Sequence, residues 1–222
     1  MSLKLSTSSL VNKRFPFLLF LGLRISNSFS QKRIFFTRLR HNRILDVGGT
    51  PEFWREASGL RSALTLLNPD PAALEVQDQG IRLLRGDGCD LPFANREFEI
   101  VFSNSAIEHV GSWDRQLAFA KEVRRVGTKI WVQTPAREFF IEPHLITPFF
   151  HWLPRGCQRL LMRNFTVRGW LERPHPTAVE AFLDEVRLLT AAEMRILFPD
   201  CTILRERFLG MTKSYIAIRT DA

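Results

Sequence analysis

From Arg43 onward the chain alternates short apolar runs, each closed by turn-forming residues, with longer amphipathic stretches. The run Arg43-Ile44-Leu45-Asp46-Val47-Gly48-Gly49-Thr50-Pro51 carries the most information. A continuous apolar run of this length reads as a buried parallel strand, and the glycines after it let the backbone turn tightly against a ligand. An acid near the carboxyl end of such a strand can accept hydrogen bonds from an ammonium or a ribose hydroxyl. Further strands are predicted over residues 63–68, ended by Pro69-Asp70-Pro71, over 81–85 before Gly86-Asp87-Gly88, over 98–103, and over 129–133 before Thr134-Pro135. Ser112 is positioned to cap a helix whose apolar positions include Leu117, Ala120, Val123 and Val126, with Gly127 beyond its end. Thr190-Ala191-Ala192-Glu193 is a capping box opening another helix, which stops near Pro199. Two last strands, over 202–209 and 214–219, are joined by a short glycine-containing turn and are expected to pair antiparallel.

Strand, helix, strand alternation predicts an α/β fold: a doubly wound, mostly parallel seven-stranded sheet covered on both faces. A long insert over 136–187 precedes the last two strands, and inserts of this size are more often lids or substrate subdomains than idle loops. The expected organisation is therefore an arm with a leading helix over 1–42, followed by one domain over 43–222.

Charge changes the picture at the amino end only. The formal net charge is +8, but nine Lys and Arg residues and no acid precede Asp46, which leaves the domain near neutrality. A nucleic-acid binder spreads its cations over the folded body, so nucleic acid is an unlikely partner. The arm also holds Phe15-Pro16-Phe17-Leu18-Leu19-Phe20-Leu21-Gly22-Leu23, too short to span a bilayer as a helix. Three readings of the arm stand open: contact with a membrane surface, a helix packed on the domain, or a cleaved targeting segment. Cys89, Cys157 and Cys201 are far apart with no CxxC, so no disulfide framework and no metal are expected, and a cytoplasmic location is the simplest.

Four segments taken in order resemble the class I S-adenosylmethionine-dependent methyltransferases, in the branch of the type 11 methyltransferase domain. They are Ile44-Leu45-Asp46-Val47-Gly48-Gly49, Gly86-Asp87-Gly88-Cys89-Asp90-Leu91-Pro92-Phe93, Phe98-Glu99-Ile100-Val101-Phe102-Ser103 and Ala106-Ile107-Glu108-His109-Val110. The resemblance implies a Rossmann-like fold and S-adenosylmethionine as cofactor. It implies that Gly48 and Gly49 pass against the methionine part, with Asp46 near its ammonium. Asn68 stands where the family usually has an acid holding the ribose hydroxyls. Asp87 and the backbone of Gly88 would meet the adenine, and Ser103 and Asn104 would face the methionine. Thr50, Pro51 and Glu52 depart from the family's glycine-rich pattern and make the turn stiffer. A nicotinamide site is a poor rival, because the G-x-G-x-x-G fingerprint is missing.

Methyl transfer from a sulfonium is an in-line displacement, so the protein mainly positions donor and acceptor. A base is needed only where the acceptor must lose a proton, and His109 and His144 are the candidates. Glu108 and Glu142, beside them in the chain, are candidate acceptor-binding groups, although each of the four has a plain structural alternative. The insert is apolar and rich in arginine, which fits a lid over an apolar acceptor, a membrane-touching surface, or a subdomain with its own small core. The expected function is methyl transfer to oxygen or carbon of a small or lipid-like acceptor, with possible peripheral membrane contact. The alternative is a non-catalytic scaffold of the same fold that docks on a membrane or partner.

Overall fold

The computed structural model describes residues 43–54, 63–70 and 80–220. The amino-terminal arm, with the leading helix expected at 30–40, lies outside the described residues. Strands β1 (Ile44–Val47), β2 (Leu64–Asn68), β3 (Arg82–Arg85), β4 (Phe98–Asn104) and β5 (Gly127–Pro135) are parallel. They join β8 (Thr202–Phe208) and β9 (Met211–Arg219) in one seven-stranded sheet of order β3-β2-β1-β4-β5-β9-β8, with β9 antiparallel to both neighbours. The doubly wound, mostly parallel sheet read from the sequence is therefore the architecture of the protein.

The apolar runs form strands because both faces of the sheet are covered. Leu45, Val47, Val101 and Val132 pack on one face with Phe119 and Val123 of helix α1 (Trp113–Val126) and Met194 of helix α5 (Ala191–Leu197). Ile44, Leu66, Ile100, Phe102 and Trp131 bury the other face around Trp54. There Phe102 and Trp131 stack with ring centroids 4.8 Å apart, an arrangement worth about 0.5–1.5 kcal/mol beyond area burial.

Local signals set the element ends. The Ser112 side chain accepts from the Arg115 N–H and caps α1. The chain then enters β5 at Gly127 without a loop, two residues earlier than the sequence pattern suggests, because Gly127 already pairs with Phe98. Thr190 and Glu193 form the reciprocal capping box that opens α5. Leu209 and Gly210 both have positive φ, 50° and 81°, the two-residue hairpin turn whose twist suits antiparallel strands.

Between β5 and α5 the chain forms a hairpin of β6 (Ile141–Glu142) and β7 (Thr147–Pro148), then helices α2 (Arg155–Phe165), α3 (Val167–Glu172) and α4 (Pro176–Glu185). A bridge between Ala136 and Leu189 closes the base of this segment. Leu145, Phe150, Met162, Val179 and Leu183 give it a small core of its own. Among the described residues, no helix is long and apolar enough to cross a membrane.

Candidate active site

The strand order reverses between β1 and β4, and open α/β sheets bind ligands at the carboxyl ends of strands flanking such a point. The turn after β1 can be built only from glycine. Gly48 has a φ of +87°, and a Cβ on it would sit 2.5 Å from that of Ala106. A Cβ on Gly49 would sit 2.0 Å from Asp46 Oδ2. The result is a bare backbone cradle, anchored where Gly48 N–H donates to the Leu67 carbonyl at 2.8 Å.

Three residues expected to touch a cofactor brace this cradle. Asp46 is buried, and its Oδ2 accepts from Trp54 Nε1 at 2.7 Å. Its carboxylate lies against the backbone of Gly49. Asn68 Nδ2 donates to the carbonyl oxygens of Gly48 at 3.2 Å and Gly49 at 3.0 Å, while its Oδ1 accepts from Asp70 N–H. Both amide hydrogens hold the turn, and the amide oxygen keeps a second lone pair with which it can accept from a ribose hydroxyl. Ser103 is fully buried, and its hydroxyl donates to the Val47 carbonyl at 2.8 Å, tying β4 to β1.

The other expected positions face outward. Asp87 is half-exposed after β3, where Arg115 Nη2 reaches both its oxygens at 3.1 and 2.8 Å and Cys89 N–H donates at 2.9 Å. Burial tends to raise its pKa, but the hydrogen bonds from Arg115 and Cys89 outweigh that and hold the carboxyl below its ordinary value. Gly88 follows, its backbone close against Phe119 and Val47. Asn104 is half-buried at the end of β4.

Beyond β4 a second group of residues converges. Glu108 and His109 lie in a 3-10 turn (Ile107–His109), and His144 lies in the β6–β7 hairpin. The imidazoles of His109 and His144 meet edge to face with centroids 4.6 Å apart. One ligand atom from each of Glu108, His109 and His144 lies within 4.8 Å of the others. Glu108 is fully buried; its Oε2 accepts from Thr134 Oγ1 at 2.9 Å. Its Oε1 is buried without a hydrogen-bond partner. Glu142 is buried too, accepting from the Leu145 N–H and facing His144 Nδ1 at 2.7 Å. A carboxylate only accepts, so the His144 proton sits on Nδ1 and Nε2 is the free nitrogen of the neutral ring. Burial disfavours the imidazolium, but the hydrogen bond and charge of Glu142, with Glu108 behind it, raise the His144 pKa above its usual value.

A cavity of about 230 Å³ opens beside Glu142, lined almost wholly by residues of the insert. Glu142 and Phe182 line it together with Arg137, His151, Arg155 and Arg187. Arg155 is paired with Asp184, and Arg187 with Glu193.

Four residues escape a reading by motif. Trp54 brackets Asp46, Arg115 pins Asp87, Thr134 holds Glu108, and Glu185 approaches His109 Nδ1 at 3.4 Å. Only Trp54 left a signal, as a bulky residue shortly after the glycine turn. Glu185 sits 76 positions from its partner, and no local pattern links them.

Residues 45–129 match the family model of the methyltransferase domain. No curated protein matches the sequence. Among solved structures, an S-adenosylmethionine-dependent methyltransferase from Mesorhizobium loti is 17% identical with a TM-score of 0.55, over 89% of this chain and 100% of that one. A possible histamine N-methyltransferase from Thermotoga maritima is 17% identical with a TM-score of 0.54, over 96% and 97% of the two chains. A putative zinc-dependent alcohol dehydrogenase from Rhodobacter sphaeroides is 14% identical with a TM-score of 0.54, over 87% and 93%. At these identities the likeness speaks to the fold. The side-chain-free cradle at Gly48 and Gly49 fits a cofactor that passes against bare backbone. Residues 45–129 carry the methyltransferase domain, set in the fold that the S-adenosylmethionine-dependent methyltransferases share.

Proposed function

We propose that the protein methylates an oxygen or carbon of an amphiphilic, lipid-like acceptor at a membrane surface. The observation that carries this reading is the outer face of the insert. Leu160, Phe165 and Trp170 of α2 and α3 are 77%, 70% and 64% exposed, and the exposed arginines Arg163 and Arg173 lie among them. Large apolar and aromatic side chains interleaved with cations suit the interface of an anionic bilayer. The cavity beside Glu142 is smaller than a typical drug-sized pocket, so it suits a polar head group.

In this reading the backbone at Gly48, Gly49 and Gly88 cradles S-adenosylmethionine, with Asp87 and Asn104 as its side-chain contacts. Asp46, Asn68 and Ser103 position that backbone. The cofactor supplies a methyl group on a sulfonium. His109 and His144 are the candidate bases for an acceptor proton, with Glu142 orienting His144 and Glu185 approaching His109, while Glu108 and Glu142 are the candidate acceptor-binding groups.

The test uses the full chain with methyl-labelled S-adenosylmethionine, a lipid extract and vesicles with or without anionic phosphatidylglycerol. Label should enter the organic phase, and flotation with anionic vesicles should fall in a Phe165→Ser/Trp170→Ser variant. Label appearing only in water-soluble products, with no vesicle binding, would overturn the lipid-like acceptor.

A further inference from the structure

We propose that Glu108, His109 and His144 form a binding site for a divalent transition-metal ion. Two imidazoles and one carboxylate are a common ligand set for zinc and its first-row neighbours. Three protein ligands leave a coordination position open for an acceptor oxygen. Donors about 2.1 Å from a tetrahedral ion stand roughly 3.4 Å apart, so the three atoms, now within 4.8 Å of one another, need close by little more than an ångström.

Two further observations point to an ion. Glu108 is fully buried, yet its Oε1 has no hydrogen-bond partner. A buried carboxylate oxygen left in that state is costly, and a cation satisfies it directly. Each imidazole also has a carboxylate at Nδ1: Glu142 at 2.7 Å from His144, and Glu185 at 3.4 Å from His109. Metal-binding histidines are typically oriented in this way, with one nitrogen on a carboxylate and the other free for the ion. Thr134 holds the second oxygen of Glu108, so all three ligands have an outer partner. Three carboxylates, Glu108, Glu142 and Glu185, surround the two imidazoles.

The ion's use rests on the methyl-transfer reading, whereas its binding does not. A hydroxyl coordinated to the ion loses its proton to solvent more readily. The oxygen's electron pair then forms the O–CH3 bond, and the S–CH3 bond breaks with its pair returning to sulfur, giving S-adenosylhomocysteine. His109 and His144 act as ligands in that state, and the ion takes over the work of a base.

The full chain, stripped with chelator, is titrated with Zn2+, Co2+ and Mg2+ by calorimetry, with thermal unfolding and the visible spectrum of the Co2+ form as separate readouts. One equivalent of Zn2+ should bind and raise the unfolding temperature, and Co2+ should give the intense absorption of a low-coordinate site. Mg2+ should bind far more weakly, since imidazole suits softer ions. Glu108→Gln and His144→Ala should each weaken Zn2+ at least tenfold, Glu142→Gln about 10- to 100-fold, and His175→Gln not at all. The wild-type thermal shift stands even where a variant folds poorly. No saturable Zn2+ or Co2+ binding by the wild type, or binding indifferent to Glu108→Gln and His144→Ala, would overturn the site. A parallel titration with S-adenosylhomocysteine keeps a failed cofactor reading distinct from a failed metal site.

Discussion

The side-chain amide of Asn68 donates to the carbonyl oxygen of Gly49 at 3.0 Å and to that of Gly48 at 3.2 Å, so the end of β2 holds the glycine turn that ends β1. An acid at position 68 would do the reverse, because a carboxylate cannot donate to a carbonyl. Asn68→Asp restores the residue usual in the family and should nevertheless harm this protein. Losing two hydrogen bonds and facing carbonyls with a charge costs about 1–3 kcal/mol. Affinity for S-adenosylhomocysteine should fall roughly tenfold in a calorimetric titration, each 1.4 kcal/mol being a factor of ten. Tighter binding by Asn68→Asp would mean that contact with the ribose outweighs the loss at the turn.

Acid should weaken the protein through Asp200, which joins α1 to the last hairpin by accepting from Arg124 at 2.7 Å and from Arg219. Burial raises its pKa, but the two arginines outweigh that and hold it below the ordinary carboxylate value. A carboxyl depressed in the folded state contributes stability that is fully present above its unfolded value, about 3.9, and is lost as pH falls through the folded one. The side chain is about one-third exposed, 35%, so solvent screening limits the contribution to about 0.5–1 kcal/mol. The stability gap between wild type and Asp200→Asn, measured by urea unfolding, should be constant from about pH 7 to pH 5 and close below pH 4. A gap that widens on acidification would reverse the sign of this argument.

Thiol labelling should be ordered. Cys157 is exposed on α2. Burial, followed by the charge of Asp87, pushes the Cys89 thiol up to about 11, and burial with Asp200 pushes that of Cys201 to about 12. The thiolate is the reactive form. Iodoacetamide at neutral pH should therefore modify Cys157 first, as read by peptide mass spectrometry, with Cys89 and Cys201 following only on unfolding. Early modification of Cys89 would place the Asp87 loop more in solvent than the structure does.

Much of the scaffold was legible because its signals are local. The run ending at Gly48-Gly49, the Ser112 cap, the Thr190–Glu193 capping box and the closing hairpin each reside within a few consecutive residues. The roles of individual side chains were less legible, because they depend on which way the chain turns after each strand. Asp46 and Asn68 stand at the expected strand ends, where Trp54 donates to the first and the glycine carbonyls accept from the second. The Glu108–His109–His144 group joins the carboxyl end of β4 to the insert. No metal spacing exists in the sequence for residues that only the β6–β7 hairpin brings together.

The most direct test of the central claim is a calorimetric titration of the full chain with S-adenosylhomocysteine, alongside Asp87→Ala and Asp200→Asn. A cofactor site at the carboxyl ends of β1, β3 and β4 predicts one equivalent bound with micromolar-range affinity. Asp87→Ala should weaken it at least tenfold, and Asp200→Asn should leave it unchanged. No heat and no thermal shift in the wild type, or equal affinity in Asp87→Ala, would contradict the account.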